Sequence, residues 1–213
     1  MLARHLQRSY HNNFIGGYPK FVAQGFNENY LPVWLQDSGY STYYTGKLFN
    51  AHTVVNWNSP HPAGWTSSDF LLDPHTYQYL NATFQRNQNP PVSYEGHYST
   101  DVLAEKAYGL LDEAVHSHKP FFLTVAPVAP HSDVNANTFK NPNGEGDDLD
   151  DVHMTAPIPA ERHKHLFPDA KVPRKANFNP DKVSNTPFQS QLQHCNIIVA
   201  RWSLLDQASH QAN

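Results

Sequence analysis

The sequence has one cysteine, no long apolar run and no excess of basic residues. Cys195 alone cannot form an internal disulfide framework, and it leaves the redox compartment open. No stretch reaches the ~18 consecutive apolar residues of a transmembrane helix, and the N-terminal residues lack the apolar core of a signal peptide. The formal net charge is −4, whereas nucleic-acid-binding proteins typically have an excess of basic residues. We therefore expect neither a membrane span nor a nucleic-acid partner.

Proline and aromatic residues are abundant instead. The 213 residues include 17 prolines, and 13% of the chain is aromatic. This composition predicts a folded protein with a sizeable core and long, proline-restricted loops. Asn81 begins one Asn-Ala-Thr glycosylation sequon, which has meaning only if the protein is secreted.

A helix followed by a strand is predicted near the N-terminal side of the chain. Asn27 can cap a helix from about residue 28, and Gly39 can end it in the left-handed conformation. The predicted apolar face of this helix consists of Leu31, Trp34 and Leu35. Residues 40–45 then alternate in the manner of a half-buried strand.

A second helix and strand follow. Ser99 to Asp101 supply a cap and an acidic first turn for a helix of about 15 residues, and Pro120 prevents its continuation. Its apolar stripe is predicted to be Leu103, Ala107, Leu110, Leu111 and Ala114. Residues 121–126 are a continuous apolar run, typical of a strand covered on both faces. Two such helix–strand pairs predict an α/β fold with parallel strands.

The segments outside these pairs have no strong periodicity. We interpret residues 51–98 as an insertion or a substrate-side excursion with short strands, because a plain connector would be shorter. The acidic run at residues 145–151 lacks the full spacing of a calcium-binding loop and is interpreted as a solvated loop.

Lys47 and His131 each follow one of the predicted strands directly. Ligands of open α/β sheets bind at the carboxyl ends of the strands, so parallel strands would bring both side chains to one rim. A lysine and a histidine there suit an anionic substrate, with fixed positive charge and a proton donor for a leaving oxygen. The alternative is that each is an ordinary loop residue, and a non-catalytic binding module stays open too.

Three segments resemble the sulfatase family of the alkaline-phosphatase-like superfamily. Residues 31–50 resemble its helix followed by G-Y-x-T-x-x-x-G-K, residues 94–114 a later helix, and residues 120–131 the strand that delivers a histidine. Residues 16–32 and 155–180 resemble fungal arylsulfatases nearest to N-acetylglucosamine-6-sulfatases.

The resemblance, over about residues 9 to 182, implies a fold and a domain division. The fold would be a partial alkaline-phosphatase-like sulfatase fold, with a mostly parallel central sheet, flanking helices and long irregular insertions. Residues 1–182 would be the central part of a catalytic domain truncated at both ends. Residues 183–213 would be a divergent tail without family resemblance.

The resemblance also implies roles for individual residues. Lys47 would contact the sulfate and stabilise the nucleophile, and His131 would hold a sulfate oxygen or protonate the leaving alcohol. Asn50 matches a substrate-contacting asparagine of the glucosamine-6-sulfatase branch, and His11 ends a stretch that resembles the continuation of the nucleophile signature. The implied partner is a small sulfate ester or a sulfated sugar, and the implied location is the secretory pathway.

The family's C-x-P-S-R motif, whose cysteine becomes the formylglycine nucleophile, does not occur in the sequence. Cys195 lies in HCNII and lacks the residues needed for that conversion. The intact family binds calcium through aspartates that have no counterpart in this sequence, so no metal ligand is predicted. The H-x-H pairs at residues 116–118 and 163–165 are interpreted as surface or capping histidines. Three hypotheses remain: a sulfatase-family hydrolase chain cut at both ends, a non-catalytic anion- or sulfated-glycan-binding remnant, or a chain that folds poorly and has no function.

Overall fold

The computed structural model describes residues 17–134, 154–171 and 173. Contacts divide the chain into two units, Met1–Ile158 and Pro159–Asn213. The described helices of the first unit are α1 (Gly17–Ala23), a 3-10 helix (Phe26–Glu28), α2 (Leu31–Asp37) and α3 (Ser99–His116). In the second unit the described residues contain a 3-10 helix, Glu161–His163. None of the described helices is long and apolar enough to cross a membrane.

The first unit is built around a five-stranded sheet. Its strands are β1 (Ser41–Gly46), β2 (Ser67–Leu71), β3 (Thr83–Arg86), β4 (Val92–Ser93) and β5 (Phe121–Ala126), in the order β4-β3-β2-β1-β5. β1 runs parallel to both β2 and β5, whereas β3 and β4 are antiparallel to their neighbours. A separate antiparallel pair consists of β6 (Asp133–Val134) and β7 (Met154–Thr155).

Helices flank the parallel part of this sheet on both faces. Successive residues of a strand point to opposite faces, so neighbouring residues of β1 contact different helices. Tyr43 of β1 packs against Leu110 and Ala114 of α3. On the opposite face, Gln36 of α2 donates a hydrogen bond to the hydroxyl of Thr42, 3.0 Å away. The predicted α/β fold with a mostly parallel central sheet and flanking helices is confirmed.

Burial of the two predicted strands is the reverse of the expectation. The alternation in residues 40–45 predicts a half-buried strand, but all residues of β1 are buried, because β1 lies between β2 and β5. The apolar run of residues 121–126 predicts a strand covered on both faces, but Phe121 is 39% and Val125 46% exposed. β5 is the edge strand of the described sheet, so its outer flank has no described neighbour.

The predicted cap and apolar face of the first helix are wrong in part. Tyr30, not Asn27, precedes α2. The Asn27 side chain instead bonds to residues 61 and 63, donating to the carbonyl of His61 at 3.3 Å and accepting from the amide of Ala63 at 3.0 Å. Leu31 and Trp34 are 50% and 53% exposed, so they do not form a buried face. The predicted end is confirmed, because Ser38 caps the helix and Gly39 is left-handed.

The second helix is longer than predicted and is capped by another residue. α3 has 18 residues and follows Tyr98, so Ser99 lies inside the helix and is buried. Leu103, Leu110 and Ala114 are buried as the predicted stripe requires, whereas Leu111 is 39% exposed.

The predicted short strands of residues 51–98 are β2, β3 and β4. They do not form an excursion outside the sheet, because β2 pairs with β1 and extends the central sheet. The acidic run at residues 145–151, Cys195 and the predicted tail at residues 183–213 lie outside the described residues.

Candidate functional site

Lys47 and the segment that leads to His131 leave the ends of two adjacent parallel strands. The last residues of β1 and β5, Gly46 and Ala126, are paired, and the amide of Lys47 donates to the carbonyl of Ala126 at 3.1 Å. Gly46 has a φ of +108°, and a Cβ at this position would lie 1.9 Å from that carbonyl oxygen. Only glycine permits this approach, which fixes where the Lys47 side chain starts.

The side chains of Lys47 and His131 meet at Tyr77. The Lys47 ammonium lies 4.0 Å from the centroid of the Tyr77 ring, and the His131 ring lies 4.4 Å from the same centroid, inclined by 33°. The Lys47 ammonium and the centroid of the His131 ring are therefore no more than about 8.4 Å apart, which is the sum of the two distances. The structure brings together the lysine and the histidine that the strand pattern places on one rim.

One ring nitrogen of His131 is available to a ligand. The Nδ1 atom donates to the carbonyl of Ser132 at 2.9 Å, because a carbonyl can only accept. Nε2 has no partner among the described residues, and the side chain is exposed. The backbone is also held, since the His131 amide donates to Val128 at 2.8 Å and its carbonyl accepts from the Tyr79 hydroxyl at 2.7 Å.

Asn50, in the segment that follows β1, contacts the same tyrosine. The Tyr77 hydroxyl donates to Asn50 Oδ1 over 3.4 Å, which leaves the Nδ2 amide as a donor. The Asn50 carbonyl accepts from the amide of Tyr18 at 2.8 Å, at the start of α1. Gly17, with a φ of +58°, permits this contact because a Cβ there would lie 1.9 Å from the Asn50 carbonyl oxygen. The three predicted catalytic and substrate-binding residues within the described chain, Lys47, His131 and Asn50, thus all contact Tyr77.

Lys47 is a cation held by an aromatic face. Burial lowers the pKa of its ammonium, and the Asp73 carboxylate opposes that shift. Among the described residues no carboxylate lies within ion-pair distance of Lys47. The Oδ2 atom of Asp73 accepts from the amide of Ala51 at 2.8 Å, and its buried Oδ1 atom has no described hydrogen-bond partner. No described residue therefore neutralises the ammonium through an ion pair.

A comparison with protein families identifies the chain. The family model described as Sulfatase matches residues 2–193. The chain belongs to the sulfatase family. The sulfatase relatives include an arylsulfatase of Volvox carteri, 41% identical over 78% of this chain, and one of Chlamydomonas reinhardtii, 39% identical over 74%. The human N-acetylglucosamine-6-sulfatase is 27% identical over 71% of this chain. The matches cover only 26%, 23% and 24% of these relatives, about a quarter of each.

Calcium is the metal that the sulfatase family implies, and the described residues do not fit it. Ca²⁺ takes about 6–8 oxygen ligands. The described residues contain no group of three or more His, Cys, Asp or Glu side chains that could hold a metal ion, and this includes both H-x-H pairs. Asp73, the described acidic group whose charge acts on Lys47, is a single carboxylate and does not supply such a ligand set by itself. No step of the sulfatase chemistry is assigned to a metal on these residues.

Two further predicted residues, His11 and Asn81, are not among the described contacts of Tyr77. His11 falls outside the described residues. Asn81 precedes β3 and is partly exposed, with its Oδ1 atom accepting from the Ser93 hydroxyl at 3.1 Å. Thr83 of the same sequon is buried in β3.

Sequence reasoning does not find Tyr77. It lies in a segment without periodicity, and an aromatic residue there is more often a core residue. In the sequence, Tyr77 lies shortly after a proline and between two polar residues, Thr76 and Gln78. This position does not distinguish it from other tyrosines in loops.

Proposed function

We propose that this chain provides the sulfate-binding side of an arylsulfatase-like sulfuric ester hydrolase. The observation that carries the proposal is the convergence of Lys47, His131 and Asn50 on Tyr77. The substrate is a sulfate ester, either a small aryl sulfate or a sulfated sugar. Two relatives at about 40% identity are named arylsulfatases, and a more distant one is named for N-acetylglucosamine-6-sulfate, which supports this substrate class.

Each residue has a chemical task in this proposal. The Lys47 ammonium attracts the sulfate and stabilises negative charge that develops as the ester bond breaks. His131, through Nε2, holds a sulfate oxygen or, when protonated, gives its proton to the leaving alcohol oxygen. Asn50 donates from Nδ2 to an oxygen of the substrate, and His11 is proposed as a further substrate contact.

Catalysis also needs a nucleophile, and the sequence has no C-x-P-S-R motif to supply one. Enzymes lower the barrier by about 8 kcal/mol or more, and charge stabilisation without a nucleophile supplies only part of this. We therefore propose that the isolated chain binds sulfate esters without hydrolysing them. This makes a non-catalytic sulfate- or sulfated-glycan-binding role the second candidate.

Calorimetric titration of the chain with inorganic sulfate, 4-nitrocatechol sulfate and glucosamine 6-sulfate tests binding. Lys47→Met and His131→Gln should each weaken binding at least tenfold. The matched controls Lys119→Met and His118→Gln remove the same side chains from the segment that precedes β5, at the opposite end of this strand, and should leave affinity unchanged. Equal affinity of site and control variants would overturn the site.

Hydrolysis is measured separately, because binding and turnover can fail independently. Incubation with 4-nitrocatechol sulfate and calcium should release no product above a blank. Sustained release that is lost in Lys47→Met would contradict the proposed inactivity and favour an active hydrolase.

We also propose that the protein enters the secretory pathway and carries a glycan on Asn81. The sequon and the partial exposure of Asn81 support this. Expression behind a secretion signal in a eukaryotic host should give a product whose mobility increases after N-glycosidase treatment. Asn81→Gln should remove that shift, and an unshifted wild-type product would contradict the proposal.

A further inference from the structure

We infer that Tyr77 is a positioning residue, whose ring sets the separation of Lys47 and His131 and whose hydroxyl orients Asn50. The inference rests on the proposed function, because it concerns the same sulfate site. Nothing in the family resemblance of the sequence points to Tyr77; the geometry of the three contacts does.

The ring gives Lys47 a defined place. A lysine ammonium is a hydrated point charge on a flexible stem and has about 2 kcal/mol of rotamer entropy. No described carboxylate lies within ion-pair distance of Lys47, and the Asp73 charge acts on it from farther away, so the ring at 4.0 Å is the described contact that places the ammonium. A cation–π contact of this length contributes about 0.5–2 kcal/mol, and it restrains the ammonium without neutralising it. The charge stays available to an anion.

The same ring restrains the His131 imidazole. The hydrogen bond from Nδ1 to Ser132 fixes one edge of the ring, and the tilted contact with the Tyr77 ring, 4.4 Å between centroids, restricts rotation of its plane. These two restraints together define the direction of Nε2. An exposed histidine without them would sample several rotamers.

The hydroxyl has a task separate from that of the ring. It donates to Asn50 Oδ1, which turns the amide so that Nδ2 is the free group. Substitution by phenylalanine removes only this bond, and substitution by leucine removes the ring contacts as well. The two roles can therefore be measured one at a time.

The backbone of Tyr77 is held independently of its side chain. The Tyr77 carbonyl accepts a hydrogen bond from the amide of Val134 at 3.1 Å. Two residues later, the amide of Tyr79 donates to the Asp133 carboxylate at 3.0 Å. The Tyr79 hydroxyl also donates to the His131 carbonyl. Because these bonds join the two segments without the Tyr77 ring, a side-chain substitution should leave the fold intact.

The experiment compares wild-type chain with Tyr77→Phe, Tyr77→Leu and the exposed control Tyr108→Leu. Calorimetry measures the affinity for inorganic sulfate, and NMR follows the imidazole resonances of His131, assigned with His131→Gln. Tyr77→Phe should stay within about threefold of wild type, whereas Tyr77→Leu should bind at least tenfold more weakly. The His131 ring protons should move downfield in Tyr77→Leu only, since the ring current of the tyrosine is lost.

The outcomes separate this inference from the proposed function. If wild type binds sulfate and Tyr77→Leu binds equally well, the positioning role is wrong and the site stands. If wild type does not bind sulfate, the proposed function fails, and unchanged His131 resonances in Tyr77→Leu would overturn the positioning role as well. Should Tyr77→Leu fail to fold, Tyr77→Met replaces it with the same expected results, and a loss of sulfate affinity beyond about threefold in Tyr77→Phe would contradict the assignment of the positioning role mainly to the ring.

Discussion

The amide of Lys47 donates a hydrogen bond to the carbonyl of Ala126, the last residue of the neighbouring parallel strand. This bond continues the ladder of β1 and β5 one residue beyond Gly46. Because both strands end at the same level, the segments that carry Lys47 and His131 begin side by side. The approach of the two backbones depends on the missing side chain at Gly46.

Gly46→Ala should therefore disrupt both the fold and the site. The new Cβ would meet the Ala126 carbonyl at 1.9 Å and would occupy a left-handed conformation. Backbone strain of about 1–3 kcal/mol adds to overpacking of similar size. We expect the free energy of unfolding to fall by about 3 kcal/mol or more, measured by urea denaturation, with loss of sulfate affinity.

Gly39→Ala is the matched control for this substitution. Gly39 also has a positive φ, +89°, but a Cβ there would have no atom within 4 Å. The free energy of unfolding of Gly39→Ala should therefore fall only by the contribution of backbone strain, and the variant should keep its affinity for sulfate. Equal losses in the two variants would show that the close approach at Gly46 is unimportant.

Asp73→Asn should change the pH dependence of sulfate binding. Burial lowers the pKa of Lys47 and the Asp73 charge raises it, so removal of that charge lowers the pKa further. An asparagine oxygen can still accept from the Ala51 amide, which preserves the backbone contact. Since sulfate needs the ammonium form, the loss of affinity at alkaline pH should move to lower pH.

Calorimetric titrations with sulfate from neutral pH to about pH 10 measure this shift. Asp112→Asn, an exposed carboxylate on α3, is the control and should leave the profile unchanged. A profile that stays fixed or moves to higher pH in Asp73→Asn would contradict the coupling of Asp73 to Lys47.

The sequence was sufficient for the parallel strands and for the rim that they share. Both inferences depend on local features: where each apolar or alternating run ends and which residue follows. The exact burial could not be derived this way. Alternation predicts a half-buried strand, but all residues of β1 are buried, and the Thr42 hydroxyl donates to the carbonyl of Gly64 at 2.6 Å.

Contacts between distant segments explain what sequence patterns missed. Asn27 has the chemistry of a helix cap, yet its amide bonds to residues 61 and 63 instead. Tyr77 reaches the site because residues 77–79 are hydrogen-bonded to residues 131–134, more than fifty positions later. No periodicity or motif within one segment encodes such a pairing, so a single sequence does not disclose it.

Asp69 should be among the most costly carboxylates to remove from the described sheet. It is 3% exposed, and its two oxygens accept from Arg86 at 2.7 Å and from Lys106 at 2.9 Å. Asp69→Ala leaves two cations without their buried partner, which costs about 3–5 kcal/mol. Urea denaturation should show this loss, with a smaller one in Asp69→Asn, which keeps two polar atoms.

Glu113→Gln is the control for the Asp69 substitutions. Glu113 pairs with the same arginine, but its side chain is 46% exposed. Exposed pairs contribute about 0–1 kcal/mol, so the variant should remain close to wild type. A loss in Glu113→Gln as large as that in Asp69→Ala would show that burial does not determine the cost.

His52 should make the fold sensitive to acid. Its side chain is fully buried between Tyr18, 4.3 Å away, and Phe70, and burial lowers its pKa from 6.5 to about 3. Below pH 6.5 the unfolded chain binds a proton that the folded chain does not, so stability falls by about 1 kcal/mol per pH unit. Urea denaturation at neutral and mildly acidic pH should show a smaller loss in His52→Phe than in wild type or His118→Gln. Identical losses in all three would mean that His52 is protonated in the fold.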